Sequence, residues 1–469
     1  MLLKYVSRSS IGDCVQLDPM KSGLSTLIGI ALLTYLTGCG GPAVDVAWQE
    51  PRPLGKGLTT SKPSIQLPEA TEPTALQELA GTINLRQALA LALMHNPDLR
   101  AFSWDVRVGE AKTLQAGLRP NPELEAEIEE FGGSGNLSGF GAIETAVQLS
   151  YLIELGGKRG KRRQVAALET ELAGWDYETA RLDVLTQTAQ AFIDVLATQE
   201  AVGLNEELVR LAEQVFNTVK AQVEAGKVSP VKQTRAQVEL STSRIGLQRL
   251  ERMLEADRKA LVSTWGSTSP AFERVEGQFE MTKPIPTAEQ LANRISQNPD
   301  IARWTVEMAQ RRAAIKLEKS GRISDLSIGG GMKHLNEIGD VALIFGLSFP
   351  LPLFDRNQGA IREAEYNLAK AFEERKSAEV FVRTALSTTY QALSAAWGTV
   401  TALKNDVLPG AQSAFDAVTE GYRIGKFDFL EMLDAQRTLF EVRGSYIDAL
   451  AEYHKTVADV ERLIGEPLN

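Results

Sequence analysis

Residues 340–349 read DVALIFGLSF, with an apolar side chain at every second position. Successive side chains of an extended chain point to opposite faces, so this alternation is typical of a strand with one apolar and one polar face. The apolar positions are Val341, Leu343, Phe345, Leu347 and Phe349. The stretch is about ten residues long, which is the length of a tilted strand that crosses a membrane.

Three further stretches alternate in the same way, at 122–131 (PELEAEIEEF), 142–151 (AIETAVQLSY) and 323–333 (ISDLSIGGGMK). They complete two pairs of predicted strands. Four strands are too few to close a barrel, and an open sheet edge is not tolerated in lipid. If these strands span a membrane, several chains must therefore pool them. The alternative is a small soluble sheet with one buried face.

The polar side of the first predicted strand is entirely acidic. Its members are Glu123, Glu125, Glu127 and Glu129. Because they alternate with apolar residues, we expect them to face a wet barrel lumen rather than to form a catalytic pair of carboxylates.

A short signal-like segment lies near the N-terminus. Lys21 precedes the apolar run Leu24–Leu36, and the following Leu-Thr-Gly-Cys resembles a bacterial lipobox. The run is too short for a membrane helix, so a secretory signal fits better. We predict that translation starts at Met20, that residues 1–38 are the signal region, and that a lipid-modified Cys39 is the first mature residue.

The residues after the cysteine point to a destination and a tether. Gly40 stands where Asp would resemble an inner-membrane retention signal, so outer-membrane sorting is favoured. Residues 39–82 are rich in Pro, Gly, Thr and Ser, and we expect a tether there with little core of its own. Plain disorder and an ordered strap are both compatible with that composition.

Charge and cysteine content limit the functional classes. The formal net charge of −10 argues against nucleic-acid binding. Cys14 precedes the predicted start and Cys39 carries lipid, so one mature chain can form neither a disulfide nor a thiolate metal site. The three histidines are scattered, and no hydrolase, P-loop or zinc-protease motif occurs. We therefore predict no enzyme activity, no metal site and no cofactor apart from the lipid.

The chain repeats itself at a period of about 200 residues, which indicates an internal duplication. HNPDLRA around Asn96 recurs as QNPDIAR around Asn298, and the turn at Gly226 recurs at Gly425. Each predicted repeat runs helix, strand pair, long helix, glycine turn, helix. We place the first repeat at 83–270 and the second at 271–469.

The helical segments have matching lengths. At about 1.5 Å per residue, the uninterrupted pattern from Gly160 to Gly226 is about 100 Å long. The segments 227–265 and 85–118 are about 60 Å and 50 Å on the same rule, so stacked end to end they match the long arm. This predicts a tall helical cylinder that continues a strand barrel; a soluble coiled-coil bundle is the alternative.

The chain resembles the TolC-type outer-membrane factors. The features that carry this resemblance are the lipobox, the duplicated order of elements, the Gly-Lys turns and the NPEL string at 121–124. The strings LIELGGKRGKRR (152–163) and LSFPLPLFDRNQG (347–359) resemble most closely the CzcC-like branch of heavy-metal efflux. The resemblance implies an α+β membrane protein that acts as a homotrimer. It implies a 12-stranded outer-membrane β-barrel, with four strands from each chain, continued by a long periplasmic α-helical barrel. The implied partners are a periplasmic adaptor protein and an inner-membrane pump of the resistance-nodulation-division type.

The two glycine turns are expected at the periplasmic tip. The resemblance implies that this tip contacts the adaptor through Gly226, Lys227, Gly425 and Lys426. Six and nine residues after its glycine, the first repeat carries the cations Lys232 and Arg235. At the same two places the second repeat carries the carboxylates Glu431 and Asp434. The carboxylates align with the acidic constriction of TolC-like ducts, which predicts a periplasmic gate held shut by charge pairing. Ordinary solvated surface charges are the alternative.

A run of five cations between residues 158 and 163 stands at a predicted helix start. Cations are unfavourable at a helix N-terminus, so we expect carboxylate partners for them.

These features predict the outer-membrane exit duct of a tripartite efflux system for heavy-metal cations, lipid-anchored in a Gram-negative bacterium. A drug-efflux or protein-secretion duct of the same fold, or a periplasmic coiled-coil lipoprotein without a pore, remains the alternative.

Overall fold

The structure is a computed structural model that describes residues 48–62, 80–280 and 284–468, all within the unit Val46–Asn469. The predicted signal region and the predicted lipid site at Cys39 lie outside the described residues. No described helix has both the length and the apolar content of a membrane span.

The described residues form a largely helical fold with two sheets. The helices are α1 (Leu85–His95), α2 (Pro97–Ala116), α3 (Lys158–Glu224), α4 (Pro230–Ser263), α5 (Ala288–Arg294), α6 (Pro299–Ala302), α7 (Trp304–Ser320), α8 (Gln358–Ala402), α9 (Leu408–Arg423) and α10 (Phe429–Ile464). The strands are β1 (Gly81–Asn84), β2 (Glu123–Glu129), β3 (Glu144–Ile153), β4 (Phe272–Glu276), β5 (Leu326–Leu335) and β6 (Asp340–Ser348).

The four predicted strands are all present and lie in one antiparallel sheet of order β2-β3-β5-β6. Strand β5, from the second half of the chain, pairs with β3 from the first half, so the sheet connects the two halves. A second sheet, the parallel pair β1-β4, is absent from the sequence-based expectation. Its strands have only four and five residues, too few for a periodic signal.

Helix α3 has 67 residues and is about 100 Å long, as predicted. The helix starts after Gly157, which has a left-handed backbone with φ 68°. It contacts α1, α2, α4, α7 and α10, and its middle third is the most buried helical stretch in the first half of the chain.

In the second half, α8 and α9 are continuous through one π-helical stretch, Leu403–Val407. Pro409 stands at the start of α9. Its ring lacks an N–H and crowds the preceding turn, and a π-helical stretch accommodates such a residue without ending the helix.

The repeated Asn-Pro-Asp motif has a defined structural role in each half. The side-chain oxygen of Asn96 accepts from the Leu99 N–H at 2.8 Å, and its amide donates to the Thr264 carbonyl at 2.8 Å. Asn298 likewise caps its helix through the Asp300 N–H and donates to the Leu463 carbonyl at 2.9 Å. One asparagine thus starts a helix and holds the far end of the return helix beside it.

Residues 48–62 form an ordered strap on α3, which decides between the two alternatives for this part of the tether. The Trp48 ring meets the Tyr177 ring edge-on at 5.2 Å between centroids. The Leu54 N–H donates to the Gly465 carbonyl at 3.2 Å, so the strap also touches the end of the chain. Leu54 and Leu58 pack against the core cluster that includes Leu182 and Leu185.

Candidate functional site: the sheet and the helical turns

The apolar face of the four-stranded sheet is open to the surroundings. Cross-strand pairing aligns apolar side chains in rows, for example Ala126, Val147, Met332 and Leu343. Leu343 is 87% and Phe345 80% exposed in the chain. The alternative of a soluble sheet with one buried face is therefore wrong for a single chain, because no described element covers this face.

The opposite face of the sheet is acidic and partly paired. It carries the four glutamates predicted to be lumen-facing, Glu123, Glu125, Glu127 and Glu129, all of them exposed. Glu125 accepts from the Gln148 amide at 2.7 Å. Lys333 bridges Glu129, at 3.2 Å, and Glu144 of the neighbouring strand.

Two of the five cations at the start of α3 have carboxylate partners. Lys158 contacts Asp325 at 2.8 Å, and Arg162 forms a forked pair with Glu154. The Lys161 ammonium donates to the Gly156 carbonyl at 2.8 Å. The prediction of carboxylate partners is confirmed for Lys158 and Arg162, which tie the sheet to the helices at this junction.

Both glycine turns lie at one end of the helices. Gly226 and Gly425 adopt left-handed backbones with φ 69° and φ 78°, which glycine tolerates without steric cost. A small apolar cluster joins the two turns, and its buried members are Val219, Ala236, Phe429 and Met432. Lys227 and Lys426 are exposed at this end, and their contact with an adaptor remains a prediction.

The predicted gate residues lie just beyond these turns. Glu431 and Asp434 are exposed on the first turns of α10, and Lys232 and Arg235 occupy the matching places on α4. Within one chain, the ion pairs of the described residues do not join these cations to these carboxylates. Pairing of that kind remains a prediction for neighbouring chains.

Two contacts of Glu431 and Asp434 were not predicted from the sequence. The Glu431 carboxylate accepts from the Asp428 N–H at 2.7 Å and closes a capping box, so it also stabilises the start of α10. Asp434 pairs with Arg437, three residues along the same helix, at 2.7 Å. That spacing is visible in the sequence and could have identified Arg437.

The histidines are dispersed through the described residues, at His95, His334 and His454. His454 lies against the Phe279 carbonyl, with Nε2 at 3.0 Å, and stacks on the Phe279 ring. Within the described ranges, no group of three or more His, Cys, Asp or Glu side chains is placed to hold a metal ion.

Comparison with known proteins agrees with this geometry. The chain matches the family described as "Outer membrane efflux protein" over residues 88–267 and 291–466. It is 32% identical to the cobalt-zinc-cadmium resistance protein CzcC of Cupriavidus metallidurans, over 88% of this chain and 98% of that one. It is 24% identical to the nickel-cobalt-cadmium resistance protein NccC of Alcaligenes xylosoxydans xylosoxydans, over 76% and 72%.

The fold also resembles that of a solved channel-forming protein. A crystal structure of CusC, reported in connection with transmembrane channel formation, covers 85% of this chain and 99% of its own length with a TM-score of 0.68. The identity is 18%, so this likeness concerns the fold alone. The predicted resemblance is confirmed, and the chain belongs to the outer membrane efflux protein family.

Proposed function

We propose that this protein is the outer-membrane exit duct of a tripartite efflux system for heavy-metal cations. The observation that carries the proposal is the exposed apolar face of a sheet whose strands are joined to long helices by short segments. The metal cargo is supported by the similarity to two metal-resistance proteins over most of the chain.

The duct is a homotrimer with a 12-stranded barrel, built from two internal repeats in each chain. Strands β2 and β6 are the edges of the sheet and have unpaired backbone groups on their outer sides. Such edges are unstable in lipid, and pairing β6 of one copy with β2 of the next satisfies them. The antiparallel order of the four strands makes this junction antiparallel as well.

The acidic face then lines the barrel lumen and the helices form the periplasmic tunnel. A carboxylate-rich wall favours the passage of cations over anions. The tip with its two Gly-Lys turns meets the periplasmic adaptor, which connects the duct to an inner-membrane pump of the resistance-nodulation-division type. Lipid on Cys39 anchors the mature chain, and Cys39→Ser is expected to leave an unprocessed precursor on immunoblots.

Arginine scanning of the two sheet faces tests the membrane barrel. Leu343→Arg places a charge in hydrocarbon, at a cost of about 2–4 kcal/mol near the midplane, and assembled trimer is expected to fall steeply. Ser348→Arg is the matched control, since Ser348 lies on the polar face of the same strand. Equal yields of heat-resistant trimer from the two variants would contradict the barrel.

Cell growth tests the cargo. A strain lacking the gene is expected to become sensitive to cobalt, zinc and cadmium, and the wild-type gene is expected to restore resistance. Sensitivity confined to organic drugs would instead support the drug-efflux alternative. A purified protein that forms no ion-conducting channel in planar bilayers would favour the lipoprotein without a pore.

A further inference from the structure

The apolar stripe of strand β6 extends beyond the end of the strand. After Ser348 the chain continues with Phe349 and Leu351, both exposed, before the Leu353 N–H closes a tight turn onto the Leu351 carbonyl at 2.8 Å. The turn projects Phe354 outwards with 91% of its surface exposed, more than any other large apolar residue described. We call residues 349–356 the rim loop.

Two arginines flank the exposed ring of the rim loop. Arg322 and Arg356, together with Leu353 and Phe354, line one open depression of about 750 Å³. Both arginines are exposed, and neither has an acidic partner among the salt bridges of the described residues. The Arg356 guanidinium donates only to the Leu353 carbonyl, at 3.3 Å, which leaves most of its donors free.

The other edge of the sheet has the same combination of groups. Where α2 leads into β2, Lys112, Leu118 and Arg119 line a second depression of about 490 Å³. Lys112, Leu118 and Arg119 are exposed, and the two cations likewise have no carboxylate partner among the described ion pairs. In a ring of chains these two edges meet, so four cations would surround each boundary between subunits.

Both ends of the sheet carry carboxylates, including Asp355 of the rim loop at the helix-side end, but the two ends differ in their unpaired cations. At the end away from the helices, the strand ends and turns carry Glu129, Glu130, Glu144, Glu337 and Asp340. Among the described residues at that end, the only Lys or Arg is Lys333, which is already paired. Unpaired cations are thus concentrated at the helix-side end, where the apolar stripe stops.

We propose that the rim loop and Arg322 bind the headgroup of an anionic phospholipid from the membrane leaflet that faces the helices. This inference rests on the proposed membrane barrel. Phe354 and Leu353 enter the boundary between headgroups and acyl chains, as exposed aromatic and aliphatic residues do at such interfaces. The two guanidinium groups hold the phosphate through charge-assisted hydrogen bonds.

Lipid titration of the purified full-length protein in detergent tests the site. Phosphatidylglycerol is expected to raise the unfolding temperature at concentrations where phosphatidylcholine does not. The variant Arg322→Gln/Arg356→Gln is expected to need roughly 30-fold more phosphatidylglycerol, since each basic residue near anionic lipid contributes about fivefold to binding. Arg383→Gln is the matched control, because Arg383 is an exposed arginine of α8 far from the sheet.

Three further measurements test the role of charge, the source of the bound phosphate group and the channel activity. Arg322→Lys/Arg356→Lys is expected to retain most of the binding, which shows that the Gln variant lost charge rather than structure. Inorganic phosphate alone is expected to have no effect, and an equal stabilisation by phosphate would overturn the lipid assignment. The lipid assignment would also be overturned if the Gln variant and the wild type gave the same phosphatidylglycerol titration. Planar-bilayer conductance of the same preparations tests the duct separately, so failure of the lipid site leaves the proposed function standing.

Discussion

At the residue scale, the docking of the strap depends on one buried ion pair. Arg181 and Glu178 have side chains that are 1% and 2% exposed. Arg181 donates to Glu178 and to the carbonyls of Arg52 and Leu54, while Glu178 accepts from the Arg52 N–H at 2.6 Å. The pair therefore satisfies strap backbone that has no helix or sheet partner of its own.

Arg181→Ala is expected to destabilise the protein by about 3–5 kcal/mol, because it leaves the Glu178 carboxylate buried without a cation. The measurements are the unfolding temperature and the rate of trypsin cleavage after Lys56 of the strap, which should rise as the strap detaches. Arg252→Ala is the control, since its exposed pair with Glu255 is worth only about 0–1 kcal/mol. Cleavage of the Arg181 variant at the wild-type rate would contradict this account.

His454 makes stability depend on pH. Burial lowers the pKa of His454 below its ordinary value of 6.5, while the hydrogen bond to the Phe279 carbonyl opposes that shift. The unfolded chain therefore takes up the proton first as pH falls. The contribution of His454 is fully present above pH 6.5 and is lost as pH falls towards the folded-state pKa.

We therefore expect the wild type to lose more stability than His454→Gln between about pH 7.5 and pH 5.5. The comparison of the two proteins cancels the contributions of other titrating groups. Parallel curves of unfolding temperature against pH would show that His454 is not the group responsible.

At the element scale, the sheet depends on a close approach of two strands. A Cβ at Gly331 of β5 would overlap the Val147 carbonyl oxygen and the backbone of Gln148. Neither backbone group can move without disturbing the pairing of β3 with β5. Gly346, on the same face of the neighbouring strand, has open space around it.

Gly331→Ala is expected to cost roughly 1–3 kcal/mol as an overpacking substitution and to lower the yield of assembled protein. Gly346→Ala adds the same methyl group to open space and should assemble as the wild type does. The readout is the heat-resistant oligomer on gels; similar loss in both variants would point to strand propensity instead of the close approach.

At the scale of the whole molecule, the proposed gate connects the two halves of the chain. Glu431→Gln retains an acceptor for the capping box of α10, and Asp434→Asn releases Arg437. The double variant removes charge with little effect on the helix start. If charge pairing holds the entrance shut, this variant should conduct more in planar bilayers, with weaker cation selectivity.

Glu363→Gln/Glu373→Gln serves as the control, because it neutralises two exposed carboxylates of α8 that lie more than 50 residues before the turn at Gly425. Unchanged conductance and selectivity in the Glu431 and Asp434 double variant would show that these residues are ordinary solvated charges and not a gate. Reversal of Lys232 to Glu should open the duct, and the addition of Glu431→Lys should partly restore closure.

Local sequence patterns predicted the features that depend on near neighbours. Period-two alternation located all four strands of the sheet, and the left-handed glycines marked the turns at Gly226 and Gly425. The helix pattern predicted the arm α3 to within two residues at each end. Such signals arise from the geometry of a strand or a helix turn, which a few adjacent residues control.

Contacts between distant residues, in contrast, become visible only in the folded chain. The order β2-β3-β5-β6 brings Lys333 to Glu129, which is 204 residues away in the chain. In the same way, Arg52 of the strap contacts Glu178, 126 residues further along. Contacts of this kind depend on how whole elements pack, and no local pattern encodes them. The π-helical stretch before Pro409 has the same origin, because neighbouring helices hold the long arm continuous where local preference would break it.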